Sequence, residues 1–122
     1  MTQPLHVLLV DDRSGQVDSL THRLQRNGYR TSLAPNPSAA LAAAKNDPPD
    51  VAVLDLAAAE PEGFATCKAL KQLLPQVPVI IYAQSKIAND RALADACGAD
   101  EIIEAPADRG LVIQRIVQLL AR

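Results

Sequence analysis

The chain has 122 residues, of which 48% are hydrophobic, and a formal net charge of −2 at pH 7. This length corresponds to one domain that can bury roughly two-thirds of its unfolded surface. No apolar run approaches the roughly 20 residues of a membrane span, and the scattered basic residues argue against binding of nucleic acid, so neither partner is expected.

The first half of the chain alternates strands and helices. The apolar run at 6–10 is typical of a strand covered on both faces, and Asn27-Gly28 is a helix stop signal. The predicted elements are a strand at 6–10, a helix between Ser14 and Asn27, a weaker strand at 29–34, an alanine-rich helix at 37–45 and a strand at 51–54.

The second half continues the alternation. Its predicted elements are a helix at about 62–74, a strand at 79–82, a helix at about 87–97, a short strand at 102–103 and a helix at about 108–120. Strands separated by helices of this length imply right-handed crossovers and a parallel sheet with helices on both faces. In such α/β folds, ligands bind beyond the carboxyl ends of the strands.

Three carboxylates are predicted at those strand ends. Asp11 and Asp12 follow the first strand, and Asp55 follows the third. If these strands are neighbours, the acids meet at one sheet edge and form an oxygen-rich pocket suited to a divalent cation and phosphoryl chemistry. The alternative is that each aspartate only caps the next helix or turn.

The two cysteines favour a reducing compartment. Cys67 and Cys97 each lie in a helical pattern, outside any CxxC pair or metal-ligand spacing, which predicts two buried, reduced thiols. Residues 1–4 lack the basic and apolar segments of a secretory signal. We therefore expect a cytoplasmic location.

Six short motifs are specific in their order and spacing as a set. They are Val10-Asp11-Asp12, Asp55-Leu56, Gly63-Phe64, Pro78-Val79-Ile80-Ile81, Gly98-Ala99-Asp100 and Pro106. With them, the whole chain resembles the receiver domain of two-component response regulators. The resemblance implies one receiver domain over residues 1–122, with a flavodoxin-like (CheY-like) α/β fold. Its doubly wound, five-stranded parallel sheet would have the order 2-1-3-4-5.

The resemblance also implies roles for the acidic residues. Asp55 corresponds to the phosphoacceptor, Asp12 to a direct ligand of Mg²⁺, and Asp11 to a ligand acting through bound water. The Asp55 carboxylate and the carbonyl group of Ala57 would complete the protein ligands. Mg²⁺ prefers oxygen ligands and also coordinates phosphate. The cation would offset the repulsion among three neighbouring anions.

Three switch positions depart from the family pattern. Ala83 stands where the family has a serine or threonine, Ala105 where it has a lysine, and Ile102 where it has an aromatic side chain that changes rotamer. Arg13, directly after the acid pair, is a candidate compensating cation, and Lys86 is a second. Otherwise both are solvated surface residues.

The two lost polar groups carry much of the family's switching energy. A lysine–phosphoryl contact near 4 Å contributes at most about 4 kcal/mol at an effective dielectric constant of about 20. A hydrogen bond to a charged group adds roughly 1.5–3 kcal/mol. A switch from mostly off to mostly on requires about 5.5 kcal/mol. We therefore expect phosphorylation at Asp55 to move the output face, which is the surface around the fourth and fifth strands, only little.

These observations support two signalling hypotheses. The first is an atypical receiver that takes a phosphoryl group from a sensor histidine kinase or phosphotransfer protein. The alternative is a degenerate pseudo-receiver that binds an output domain or partner protein without phosphorylation. Its contact face would comprise the fourth predicted helix, the fifth strand and the last helix, and the last two helices are also candidates for a homodimer contact.

A small enzyme or cofactor binder on the same architecture is the third hypothesis. The sequence has no GxGxxG motif, P-loop or serine–histidine or cysteine–histidine pairing. The acidic residues after the first strand would repel a flavin or nucleotide phosphate. We therefore do not expect an enzyme.

Overall fold

A computed structural model describes residues 5–10, 21–56, 61–84, 96–105 and 109–120. The five strands are β1 (His6–Val10), β2 (Arg30–Ala34), β3 (Val51–Leu56), β4 (Val79–Gln84) and β5 (Glu101–Ala105). The three helices with described limits are α1 (Pro37–Asn46), α2 (Pro61–Leu73) and α3 (Arg109–Leu120). Residues 21–26 and 96–97 are also helical.

All neighbouring strands are parallel, in the order β2-β1-β3-β4-β5. The predicted sheet order is therefore confirmed. The last three strands extend further toward their carboxyl ends than predicted, because pairing continues to Leu56 opposite Ala83 and to Ala105 opposite Gln84. Much of the first and fourth predicted helices lies outside the described residues.

Two hydrophobic layers cover the two faces of the sheet. Successive residues of a strand point to opposite faces, so Leu8 lies in one layer and Val7 in the other. One layer joins the sheet to α1, α2 and Cys97, and the other joins it to Leu24 and α3. This is the doubly wound arrangement that the sequence predicts. No helix in the described ranges has the length and apolarity required to cross a membrane.

Helix α1 packs closely on the sheet because its buried face is built from alanines. Ala40 and Ala44 are both fully buried, and their small side chains allow close approach of the backbone. The helix begins with Pro37 after Asn36, whose side-chain oxygen accepts a hydrogen bond from the Ala39 N–H at 2.8 Å. This cap and the proline fix where α1 begins.

At the amino-terminal edge of the sheet, hydrogen bonds join β1 to its neighbours. The His6 N–H donates to a carboxylate oxygen of Asp50 at 2.7 Å, and the Asp50 N–H donates to the His6 carbonyl at 2.7 Å. Nε2 of the buried His6 ring lies 2.6 Å from the Ser32 hydroxyl. Because this edge is opposite the strand ends that carry the predicted acids, these contacts are structural.

A second polar cluster fastens the end of α2 to β4 and β5. The Asp100 carboxylate accepts hydrogen bonds from Lys71 Nζ at 3.0 Å and from the Val79 N–H at 2.8 Å. Lys71 Nζ also donates to the Val77 carbonyl at 3.0 Å. Gly98 has a φ of +77°, which favours glycine at this turn before β5. The Gly98-Ala99-Asp100 motif therefore has a structural role that its sequence did not reveal.

We expect Asp100→Ala to lower the free energy of unfolding by about 1.5–3 kcal/mol, because it leaves the Val79 N–H and the Lys71 ammonium without this acceptor. The loss should fall near the lower limit, since the Asp100 side chain is 29% exposed. Urea denaturation followed by circular dichroism measures it.

The matched control is Asp47→Ala, which removes another ion-paired carboxylate. Asp47 pairs with Arg30 at the surface, and their hydrogen bond lowers the pKa of Asp47. Solvent screens such an exposed pair, so its removal should change stability little. Equal losses in the two variants would contradict the structural role of Asp100.

Candidate functional site

Asp55 lies near the carboxyl end of β3, the central strand of the sheet. Its backbone pairs with Tyr82 of β4, and the preceding residue, Leu54, pairs with Val10 of β1. Strand β1 ends at Val10, and the chain continues into Asp11 and Asp12. The register therefore brings the end of β1 beside β3, one residue before Asp55.

The predicted switch positions lie at the same edge of the sheet. Ala83 pairs with Leu56 of β3, and Ala105 is the last residue of β5. Because neighbouring strands lie about 4.8 Å apart, the Ala105 backbone is two strands, about 10 Å, from β3. A long side chain would be needed to cross that distance.

Ile102 lies in β5 opposite Ile81 of β4. It is partly buried and packs against the hydrophobic layer that contains Cys97. The residue predicted at the family's aromatic switch position is thus an aliphatic side chain in contact with this layer. The fifth strand is thus anchored to the core at this position.

Most of the predicted metal site lies outside the described residues. Asp11, Asp12 and Ala57 belong to that part of the chain, as do Arg13 and Lys86. Within the described ranges, no three histidine, cysteine or acidic residues form a group that could hold a metal ion. The predicted ligand set consists only of carboxylate and carbonyl oxygens, a chemistry that fits Mg²⁺.

The interaction missed by sequence reasoning is the pairing of Lys71 with Asp100. The two residues are 29 positions apart, and neither charge indicates its partner before the fold is known. The signal in the sequence that could have indicated this pairing was Asp100 itself. It belongs to the Gly98-Ala99-Asp100 motif, which resembles the family pattern before the fifth strand.

Comparisons with known proteins agree with this architecture. A family model described as the response regulator receiver domain matches residues 7–117. The transcriptional regulatory protein CreB of Escherichia coli is 32% identical over 116 residues, which cover 95% of this chain and 51% of CreB. The alkaline phosphatase synthesis transcriptional regulatory protein PhoP of Bacillus subtilis is 30% identical over 116 residues, 95% of this chain and 48% of PhoP.

A solved structure supports the fold independently. The CheY-like response regulator receiver domain protein from Methanospirillum hungatei superposes with a TM-score of 0.87 at 23% identity. The match covers 97% of this chain and 94% of that one. The chain spans about half the length of the curated relatives that it matches.

Proposed function

Because the chain belongs to the response regulator receiver family, we propose that it is an atypical receiver that accepts a phosphoryl group on Asp55. The observation that carries this proposal is the position of Asp55 at the carboxyl end of the central strand, beside the strand end that leads into Asp11 and Asp12. Ligands of doubly wound folds bind at this edge.

The proposed reaction is transfer of a phosphoryl group to a carboxylate. An oxygen of Asp55 forms a bond to phosphorus as the bond from phosphorus to the donor nitrogen breaks. The donor is a phosphohistidine of a sensor histidine kinase or phosphotransfer protein. The chain therefore acts as a signalling domain rather than as an enzyme.

Asp11, Asp12, Asp55 and the carbonyl of Ala57 would hold Mg²⁺ at this site. When bound, the cation offsets the negative charge of the carboxylates and of the transferred group. The acids themselves repel one another, which disfavours their simultaneous ionisation without a cation. Phosphoryl transfer to Asp55 should therefore require a divalent cation.

The coupling from the site to the output face is weakened. An alanine methyl group at position 105 can neither carry a positive charge nor cross the distance from β5 to β3. The same group at position 83 cannot donate a hydrogen bond to the phosphoryl group. Arg13, or failing that Lys86, is the candidate replacement for the lost positive charge.

A second candidate function is phosphorylation-independent binding of an output domain or partner protein. It is favoured by the packing of Ile102 on the core and by apolar residues on α3, where Leu111 is 37% exposed and Val117 is 45% exposed. The proposed contact face comprises the fourth predicted helix, β5 and α3. Partner binding that survives Asp55→Ala would distinguish this function from phosphate control.

Residues 1–122 form one receiver domain in the cytoplasm, and its last two helices also provide a homodimer contact. Regulators such as CreB and PhoP are about twice as long as this chain, which supports an output domain as the partner. Neither a nucleic acid nor a membrane is proposed as a partner of this domain.

The test is incubation with acetyl phosphate and Mg²⁺, followed by intact-mass spectrometry. The proposal predicts the mass gain of one phosphoryl group, and it predicts no gain when a chelator removes the cation. An unchanged mass at saturating donor and cation, with the protein folded, would contradict phosphoryl acceptance and leave the phosphorylation-independent function.

A further inference from the structure

The two cysteines lie together in the hydrophobic layer that covers α2. Cys67, on α2, is fully buried, and Cys97, the residue before the Gly98 turn, is 4% exposed. The Cys67 thiol donates a hydrogen bond to the Cys97 carbonyl oxygen at 3.4 Å. Neither cysteine forms a disulfide bond in the described structure. The fold thus places the Cys67 thiol against the backbone of a second cysteine 30 positions away.

The surroundings of the pair slow its reactions while the fold is closed. Burial raises the pKa of the Cys67 thiol well above its usual range, and the neighbouring Cys97 raises it further. A thiol must lose its proton before it attacks a disulfide. Cys97 is the more accessible of the two, because it lies at the end of a helix, where backbone structure opens most readily.

We propose that Cys67 and Cys97 are a redox modification site, which low-molecular-weight disulfides oxidise to an intrachain disulfide bond. The Cys97 thiolate attacks the external disulfide during local opening and releases one thiol. The Cys67 thiolate then attacks the Cys97 sulfur and releases the second thiol. The cysteine pair loses two electrons and two protons, and the external disulfide gains them.

The location of Cys97 gives this modification a structural consequence. The bond would tie α2 to the segment that enters β5 through Gly98, and Ile102 packs in the same hydrophobic layer as both cysteines. The disulfide bond would hold the two sulfur atoms about 2 Å apart and so link α2 covalently to this segment. Oxidation would therefore change β5, which belongs to the proposed contact face, without involving Asp55.

To test this, the folded chain is treated with oxidised glutathione. It is then denatured and alkylated, and its intact mass is measured. The expected product is monomeric, lighter by two hydrogen atoms, and unreactive toward the alkylating agent. Amide NMR should show shifts at residues 96–105. A reducing agent should restore both the mass and the spectrum.

The matched controls are Cys97→Ala and Cys67→Ser, each checked for folding by circular dichroism. Neither can form the bond, so both should remain alkylatable or carry a glutathione adduct. Two alkylated thiols in the treated wild-type chain would overturn the proposal, as would disulfides formed only between chains. Bond formation without shifts at residues 96–105 would overturn the effect on β5. Acetyl phosphate labelling of Asp55 is a separate readout, so either proposal can fail alone.

Discussion

Asp55→Asn should abolish phosphoryl incorporation completely, while the chain stays folded. Asparagine has nearly the same shape as aspartate, but its amide is a poor nucleophile and cannot form the acyl phosphate. Intact-mass spectrometry after incubation with acetyl phosphate and Mg²⁺ measures the effect. The wild-type chain should gain one phosphoryl group, and the variant should gain none.

Asp47→Asn is the matched control for this prediction. Asp47 is an exposed acid near His6, at the opposite edge of the sheet, so its replacement should leave labelling unchanged. If labelling persists in Asp55→Asn and disappears in another aspartate variant, the phosphoacceptor is that other aspartate and not Asp55 of β3. Circular dichroism verifies that both variants are folded.

Restoring the two missing polar groups should reconnect the site to the output face. In the double variant Ala83→Thr, Ala105→Lys, beryllofluoride and Mg²⁺ should shift the amide resonances of β5, including that of Ile102. The lysine and the hydroxyl together add up to several kcal/mol of coupling. The sum of these two contributions reaches the about 5.5 kcal/mol that a full two-state switch requires.

The single variants separate the two contributions. Ala105→Lys should produce the larger share of the shift, because a charge–charge contact is stronger than one hydrogen bond. Ala83→Thr alone should produce a smaller change near β4. Identical spectra for the wild-type chain and the double variant, both with the mimic bound, would show that these positions do not carry the coupling.

Strands β1, β3 and β4 could be predicted because each contains a short apolar run between clear helix stop and turn signals. Parallel strands joined by helices leave few topologies, and the resemblance to receiver domains implied the order β2-β1-β3-β4-β5 among them. The strand ends were less predictable. Residues such as Gln84 and Glu101 are not apolar, and they join the strands only because a neighbouring strand offers backbone partners.

For the candidate site, the sequence could predict where its residues lie along the chain but not which residues they contact. The sequence placed Asp55 after a buried run, and the register now brings it beside the end of β1. The contacts of Lys71 with Asp100 and of Cys67 with Cys97 join residues distant in sequence, and nothing in either local pattern indicates the partner. Such pairs depend on how the layers pack.

The most direct test of the account is amide NMR of the wild-type chain during Mg²⁺ titration, with and without beryllofluoride. We expect saturable shifts near Asp55 and almost none at Ile102, since we propose a site that binds Mg²⁺ but lacks the hydroxyl and ammonium groups that would transmit the signal. Shifts of comparable size at both residues would contradict the weakened coupling. No response to Mg²⁺ with beryllofluoride at any concentration would contradict the site itself.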